Sequence, residues 1–103
     1  MVMPAALSNA QKRYLRGLAH DLKPVVMVGA KGVGASLLAE LDQALDLHEL
    51  IKVRVSAEDR EERDALIESL LAPSDAALVA RIGHVAVLYR RRRENPLVIL
   101  PRD

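Results

Sequence analysis

The chain contains no cysteine, no phenylalanine and no tryptophan, and Tyr14 and Tyr89 are its only aromatic side chains. Without cysteine there is no disulfide staple and no thiolate metal site. Two aromatic rings cannot furnish the platform on which RRM and OB-type modules stack bases. No apolar run approaches the roughly 20 residues of a membrane-spanning helix. Met1–Leu7 has neither the basic region nor the length of a secretory signal. A cytoplasmic protein with no membrane partner is the expectation. His20, His48 and His84 fall at no zinc-ligand spacing, so neither a metal nor another cofactor is expected. His48 beside Glu49 is an adjacent pair, not a catalytic dyad, and His20-Asp21 suits a helix end. No catalytic residue and no small-molecule substrate are therefore assigned, and an acid–base nuclease ranks last among the readings.

What is present is enough for one aliphatic core. Half of the 103 residues are apolar, which fits a single domain over 1–103. Its core spans about 8–90, followed by a short tail, 91–103. The net charge of +1 conceals an asymmetry. Residues 40–68 hold ten acidic and four basic side chains, a local −6, whereas the rest holds eleven basic and four acidic ones, +7. Such separation lets a nearly neutral protein present a basic face to a polyanion, although charges also simply solvate surfaces.

Along the chain, Ser8-Asn9-Ala10-Gln11 has the form of a capping box, which predicts a first helix to about Ala19. Ala10, Tyr14 and Leu18 recur at helical spacing and are expected to face the core, leaving Lys12, Arg13 and Arg16 to water. Pro24 ends any preceding helix. Val25-Val26-Met27-Val28 then reads as a strand buried on both faces, as in a parallel sheet. A second helix is expected from Ala35 to His48, with Leu37, Leu38, Leu41, Ala44 and Leu45 inward. Ile51, Val53 and Val55 alternate with Lys52 and Arg54, the period of a strand with one wet face. The connection is long enough for a crossover, so Val25 to Val55 reads as a βαβ unit. Glu58, Asp59, Glu61 and Glu62 crowd the start of a third helix, where acids favour the positive dipole end. Leu66, Ile67, Leu70 and Leu71 supply its buried stripe, and Pro73 is expected to end it. Leu78–Ile82 and Val85–Arg90 read as strands joined by a Gly83-His84 hairpin turn. Leu97–Leu100 is expected either to add an edge strand or to cover apolar surface. The fold class is therefore α/β: an α-β-α-β-α-β-β sandwich with helices against a mixed four-stranded sheet.

One local motif carries chemistry. Gly29-Ala30-Lys31-Gly32-Val33-Gly34 matches neither the Walker A loop nor the dinucleotide fingerprint. What remains is a Gly-x-x-Gly loop ahead of a helix N-terminus, with Lys31 inside it. Glycines let a backbone approach phosphate, and free amides at a helix start attract anions. KH modules clamp nucleic-acid backbones with such a loop. The same residues also make a tight strand-to-helix turn, and both readings stay open. Arg90–Arg93 is a basic run that either binds phosphate or is solvated.

Several blocks together resemble one family. They are Leu15-Arg16-Gly17-Leu18-Ala19-His20, Leu22-Lys23-Pro24-Val25-Val26, Gly29-Ala30-Lys31-Gly32, His48-Glu49-Leu50-Ile51-Lys52-Val53, Ile82-Gly83 and Val87-Leu88-Tyr89-Arg90. In this order, from about Ser8 to Arg90, they resemble the YhbY family, the stand-alone bacterial form of the CRM domain (chloroplast RNA splicing and ribosome maturation). The resemblance implies a compact fold similar to the C-terminal domain of translation initiation factor three. It implies RNA as partner, in bacteria ribosomal RNA within precursors of the large subunit. The contacts it implies are Gly29, Ala30, Lys31 and Gly32, with His20, Lys23, Lys52 and Arg90 at matching positions. Lys12, Arg16, Arg91 and Arg92 join them as neighbouring basic residues. Gly34 stands where relatives often carry a Thr or Ser able to cap the second helix. The expectation is thus a non-enzymatic RNA-binding assembly factor, with a monomer favoured. The alternative is a protein–protein adaptor whose acidic third helix docks a basic ribosomal protein.

Overall fold

A computed structural model describes residues 6–29 and 31–101. Its elements run α1 (Asn9–Ala19), β1 (Pro24–Val28), α2 (Ala35–His48), β2 (Leu50–Val55), α3 (Arg60–Ser74), β3 (Ala77–Ile82) and β4 (Val85–Tyr89). The four strands form one mixed sheet in the order β1-β2-β4-β3. β1 pairs with β2 in parallel, and β4 lies antiparallel to both β2 and β3. The expected α/β order and the parallel β1–α2–β2 unit are both present.

Local chemistry explains the element ends. The Ser8 side chain accepts from the Gln11 amide at 3.1 Å, and the Gln11 side chain accepts from the Ser8 amide at 3.0 Å. This reciprocal pair satisfies two amides that a helix start leaves orphaned. Asp59 caps α3 by accepting from the Glu62 amide at 2.8 Å. Pro73 does not end α3 as expected: the helix carries on through Ser74, and Asp75 stops it in the left-handed region, φ 58°. Pro73 costs the last turn one amide hydrogen bond without ending it, and termination falls to the left-handed Asp75.

Two clusters fill the two sides of the sheet. On one side, Leu41 and Leu45 of α2 and Ile67 and Leu70 of α3 pack on Val26, Val28, Ile51, Val53, Val55, Ala86 and Leu88. On the other, Leu15 and Ala19 of α1 pack on Leu50, Val79, Val87 and Tyr89. Each fully buried Leu or Ile contributes roughly 1.5–3 kcal/mol relative to exposure. Burial, reinforced by the nearby Glu49, pushes the Tyr89 phenol above its ordinary pKa of 10.0, so it fills the core as a neutral group.

Two expectations are corrected. The stripe of α1 that meets the sheet is Leu15 and Ala19, whereas Tyr14 and Leu18 are 43% and 45% exposed. Both pairs have i,i+4 spacing, and the sheet beneath selects the narrower one, which lets the helix approach closely. Nor is β1 buried on both faces. Val26 and Val28 are in the core, but Val25 and Met27 are 47% and 66% exposed. β1 is an edge strand, and α1 sits over β2 and β3 instead of over it.

The C-terminal segment forms no strand. Val98 and Leu100 pack on the α1 side, and the Gln11 side-chain amide donates to the Pro101 carbonyl at 3.0 Å. A buried carboxylate holds this segment down. Glu49 accepts from the Arg92 amide through Oε2 and from the Val98 amide through Oε1, each at 2.8 Å. Glu49→Gln keeps the size but presents an N–H where a second acceptor is needed. We expect it to cost about 1–3 kcal/mol in urea denaturation. Hydrogen exchange at Arg92 and Val98 should accelerate. Unchanged protection at both amides would show that the apolar contacts alone anchor the segment.

Candidate nucleic-acid interface

Strand periodicity decides which charges share a surface. Leu50 of β2 faces the α1 side, so Lys52 and Arg54 at two-residue steps face it too. Val25 and Met27 of β1 lie on the same side, because Val26 and Val28 face the opposite core. Register places Met27 opposite Arg54 and Pro24 opposite Lys52. The uncovered half of this face is therefore a strip of alternating character, apolar on β1 and basic on β2. At its lower end Lys52 Nζ donates to the His20 carbonyl at 3.1 Å, which joins the end of α1 to β2. Lys23, exposed, enters β1 alongside. Lys12, Arg16 and His20 follow at i, i+4 and i+8 along α1, and all three are exposed.

The Gly-x-x-Gly loop lies at the other end of the strip, where β1 gives way to α2. Gly29 and Lys31 are exposed, and the Gly32 amide donates to the Gly29 carbonyl at 3.0 Å, closing a turn. Ala30 falls outside the described residues. Gly32 has φ +74°, a conformation glycine adopts without steric cost. Gly34 is the N-cap of α2 and provides no side-chain acceptor, so no side chain caps the amides of the first turn. They remain open to an anion, as helix starts are.

The basic run at the end of β4 belongs elsewhere. Antiparallel pairing of Tyr89 with Leu50 puts residues 90–92 at the amino end of β2, the end of the sheet opposite the glycine loop. Arg90 turns to the α2–α3 side. Its guanidinium donates to Asp42 Oδ1 at 2.6 Å, Asp46 Oδ1 at 2.8 Å and the Ser74 carbonyl at 2.9 Å. With its side chain only 19% exposed, Arg90 is a clamp between α2 and the end of α3, not a free cation. Arg91 is exposed, and the Arg92 backbone is held by Glu49.

The fold converts charge segregation along the chain into segregation by face. α2 and α3 carry seven acids, Glu40, Asp42, Asp46, Glu61, Glu62, Asp64 and Glu68, against Arg60 and Arg63 on one side of the sheet, while α1 carries Lys12, Arg13 and Arg16 with no acid on the other. Arg54 is not among the expected contacts, although its alternation with Lys52 along β2 puts it on the same face. Among the described residues, no group of three or more His, Asp or Glu is placed to hold a metal ion. No described helix is long and apolar enough to cross a membrane.

A three-helix, four-stranded α/β domain with one basic and one acidic side is thus the class of protein in hand. The CRS1 / YhbY (CRM) domain model matches residues 7–90, and the chain belongs to that family. A Haemophilus influenzae protein named an RNA-binding protein is 48% identical over 93% of this chain and 96% of its own length. A Bacillus subtilis protein, named "Probable RNA-binding protein YqeI", is 39% identical over 92% of this chain and 99% of its own. The solution structure of a Staphylococcus aureus protein superposes with a TM-score of 0.80 at 37% identity, covering 92% of this chain and 99% of that one.

The two glycines of the loop differ in what they tolerate. A Cβ would meet nothing within 4 Å at either, but only Gly32 has a positive φ. Gly32→Ala should therefore cost about 1–2 kcal/mol from left-handed strain, and Gly29→Ala close to nothing. Thermal denaturation of the two variants checks this; equal losses would mean that the turn geometry is not what the motif preserves.

Proposed function

We propose that this protein binds RNA through its α1-side face and acts in the cytoplasm as an assembly factor on precursors of the large ribosomal subunit. The observation that carries the reading is the basic strip of Lys23, Lys52 and Arg54 on the uncovered half of the sheet, with Lys31 and the open glycine loop at its end. Family membership and the RNA-binding names of the relatives support it. The contacts are to phosphate and sugar, which position a protein without reading sequence. Gly29, Lys31, Gly32, His20, Lys23, Lys52 and Arg54 form the proposed surface, extended by Lys12, Arg16 and Arg91. We leave the Arg90 side chain out of it, because α2 engages the guanidinium. The family resemblance supports ribosomal RNA as the target, and no step of the reading requires catalysis.

A second reading has its own observation. Glu61, Glu62 and Glu68 are exposed along α3, a surface suited to docking a basic ribosomal protein. Charge reversals separate the two. Under RNA binding, affinity for ribosomal RNA fragments falls with salt, with log K against log salt sloping at about −3 to −4 if ~4–6 phosphates are neutralised on a single strand. Lys31→Glu with Arg91→Glu should lower that affinity and release the protein from ribosomal particles in a gradient, with native circular dichroism. Glu61→Lys with Glu62→Lys should leave both unchanged. If the acidic-face variant leaves the particles and the basic-face variant stays, the adaptor reading replaces this one.

A further inference from the structure

At the amino end of the β1–β2 pair lies an open cavity of about 390 Å³, whose position follows from the uncovered edge strand. Leu18 and Leu22 from the end of α1, Val25 of β1, Leu50 of β2 and Val98 of the C-terminal segment make its apolar lining. Ile51, Lys23 and His48 complete it. Its size falls within the range of small-molecule and single-group sites. Leu18, Leu22 and Val25 each remain more than a third exposed, a contiguous apolar exposure that packing inside the domain does not account for.

Lys23 is the one fully charged side chain in the lining. No carboxylate lines it, and the Glu49 carboxylate at the same junction is buried and accepts from the amides of Arg92 and Val98. Lys52 Nζ, held at the His20 carbonyl, lies on the neighbouring strand. The apolar floor disfavours a bare phosphate at its centre, because burying a charge there is costly, whereas the lysine at the rim attracts phosphate to the edge. It suits a group with flat apolar faces, a polar edge and an attached phosphate. His48 supplies the one planar ring in the lining, and imidazole is among the rings on which bases stack.

We infer that this cavity takes one unpaired nucleobase of a bound RNA, stacked beside His48 on the Leu18–Leu22–Val25 floor, while Lys23 and Lys52 hold the flanking phosphates. The inference rests on the RNA-binding reading and adds a recognition element to it: a preference for bulged or single-stranded nucleotides over continuous duplex. A paired base offers only its edges, whereas a splayed one offers its faces. Stacking is tolerant of base identity, so the preference is for the presence of a base and not for its sequence. The Val98 wall stands where Glu49 places it, so the cavity is complete only with the C-terminal segment seated.

Three RNA hairpins of equal stem length test this: a perfect duplex, the same duplex with one bulged 2-aminopurine, and the same bulge made abasic. Fluorescence anisotropy at fixed salt should show the bulged RNA binding about fivefold to tenfold tighter than the duplex. Its 2-aminopurine emission should change on binding, and the abasic bulge should fall back to duplex affinity. His48→Ala and, independently, Leu22→Ser should each abolish the preference while leaving duplex affinity and its salt slope as in the wild type. Both side chains are exposed or partly so, and native circular dichroism checks each variant. If the abasic bulge binds as tightly as the bulged base, or if both variants keep the preference, the pocket is overturned while RNA binding stands. If the wild type binds none of the three hairpins and no single-stranded RNA, the RNA-binding reading falls with it.

Discussion

The Glu49 carboxylate, bonded at 2.8 Å to two amides that follow it by 43 and 49 residues, is the constraint on which the lower half of the molecule depends. A fully buried carboxylate is costly unless its oxygens are satisfied, and here both are. Glu49 itself sits at φ 62°, outside the regions open to ordinary side chains, directly between α2 and β2. That conformation lets α2 end and β2 begin with no intervening loop. It costs of order 1–3 kcal/mol, and the surrounding hydrogen bonds hold it in place. The Glu49 amide donates to Leu45, and its carbonyl accepts from Arg90, each at 2.9 Å. One residue thus ends a helix, starts a strand, fixes the exit of β4 and seats the C-terminal segment.

Arg90 works from the other side of the same junction. Its guanidinium ties β4's exit to Asp42 and Asp46, which stand one turn apart on α2, and to the end of α3. The aspartates are largely exposed, so the pairs by themselves contribute modestly. The carbonyl bonds to Ser74 and Asp42 make the contact specific in direction. Together Glu49 and Arg90 explain why an acid and a base that look like surface charge in the sequence are internal struts.

The sequence made local features legible and left long-range choices open. The capping box around Ser8 and Gln11, the alternation over Ile51–Val55 and the Gly83-His84 turn each concern residues a few positions apart, where spacing determines geometry. The side of α1 that packs was not legible, because Tyr14–Leu18 and Leu15–Ala19 have the same spacing and only the sheet distinguishes them. The exposure of Val25 and Met27 was hidden for a related reason: an apolar β-branched run looks the same whether one face or two is covered. Within the candidate interface, the glycine loop and Lys52 were recognisable from the family blocks. The separation of Arg90–Arg92 from the loop was not, since it follows from the antiparallel pairing of β4 with β2. Glu49's role was equally out of reach, because its partners lie more than forty residues away.

The strand order connects these exposed residues to function. In β1-β2-β4-β3 a single helix, α1, is available for one side of a four-stranded sheet, and it covers the β2–β3 side of that sheet. A helix is about 10 Å across, while four strands span about 14 Å between the first and the last. One edge of that face must therefore stay open unless another segment fills it. The C-terminal segment fills part of the gap, with Val98 and Leu100 joining the α1-side cluster, and β1 stays bare. Stability alone would favour charged or polar residues on such an edge, where unpaired strands invite association. This chain keeps Val25 and Met27 there and puts Lys52 and Arg54 on the adjoining strand. The basic neighbours make self-pairing across this face unfavourable by like-charge repulsion, and they leave it attractive to an anionic partner with apolar faces.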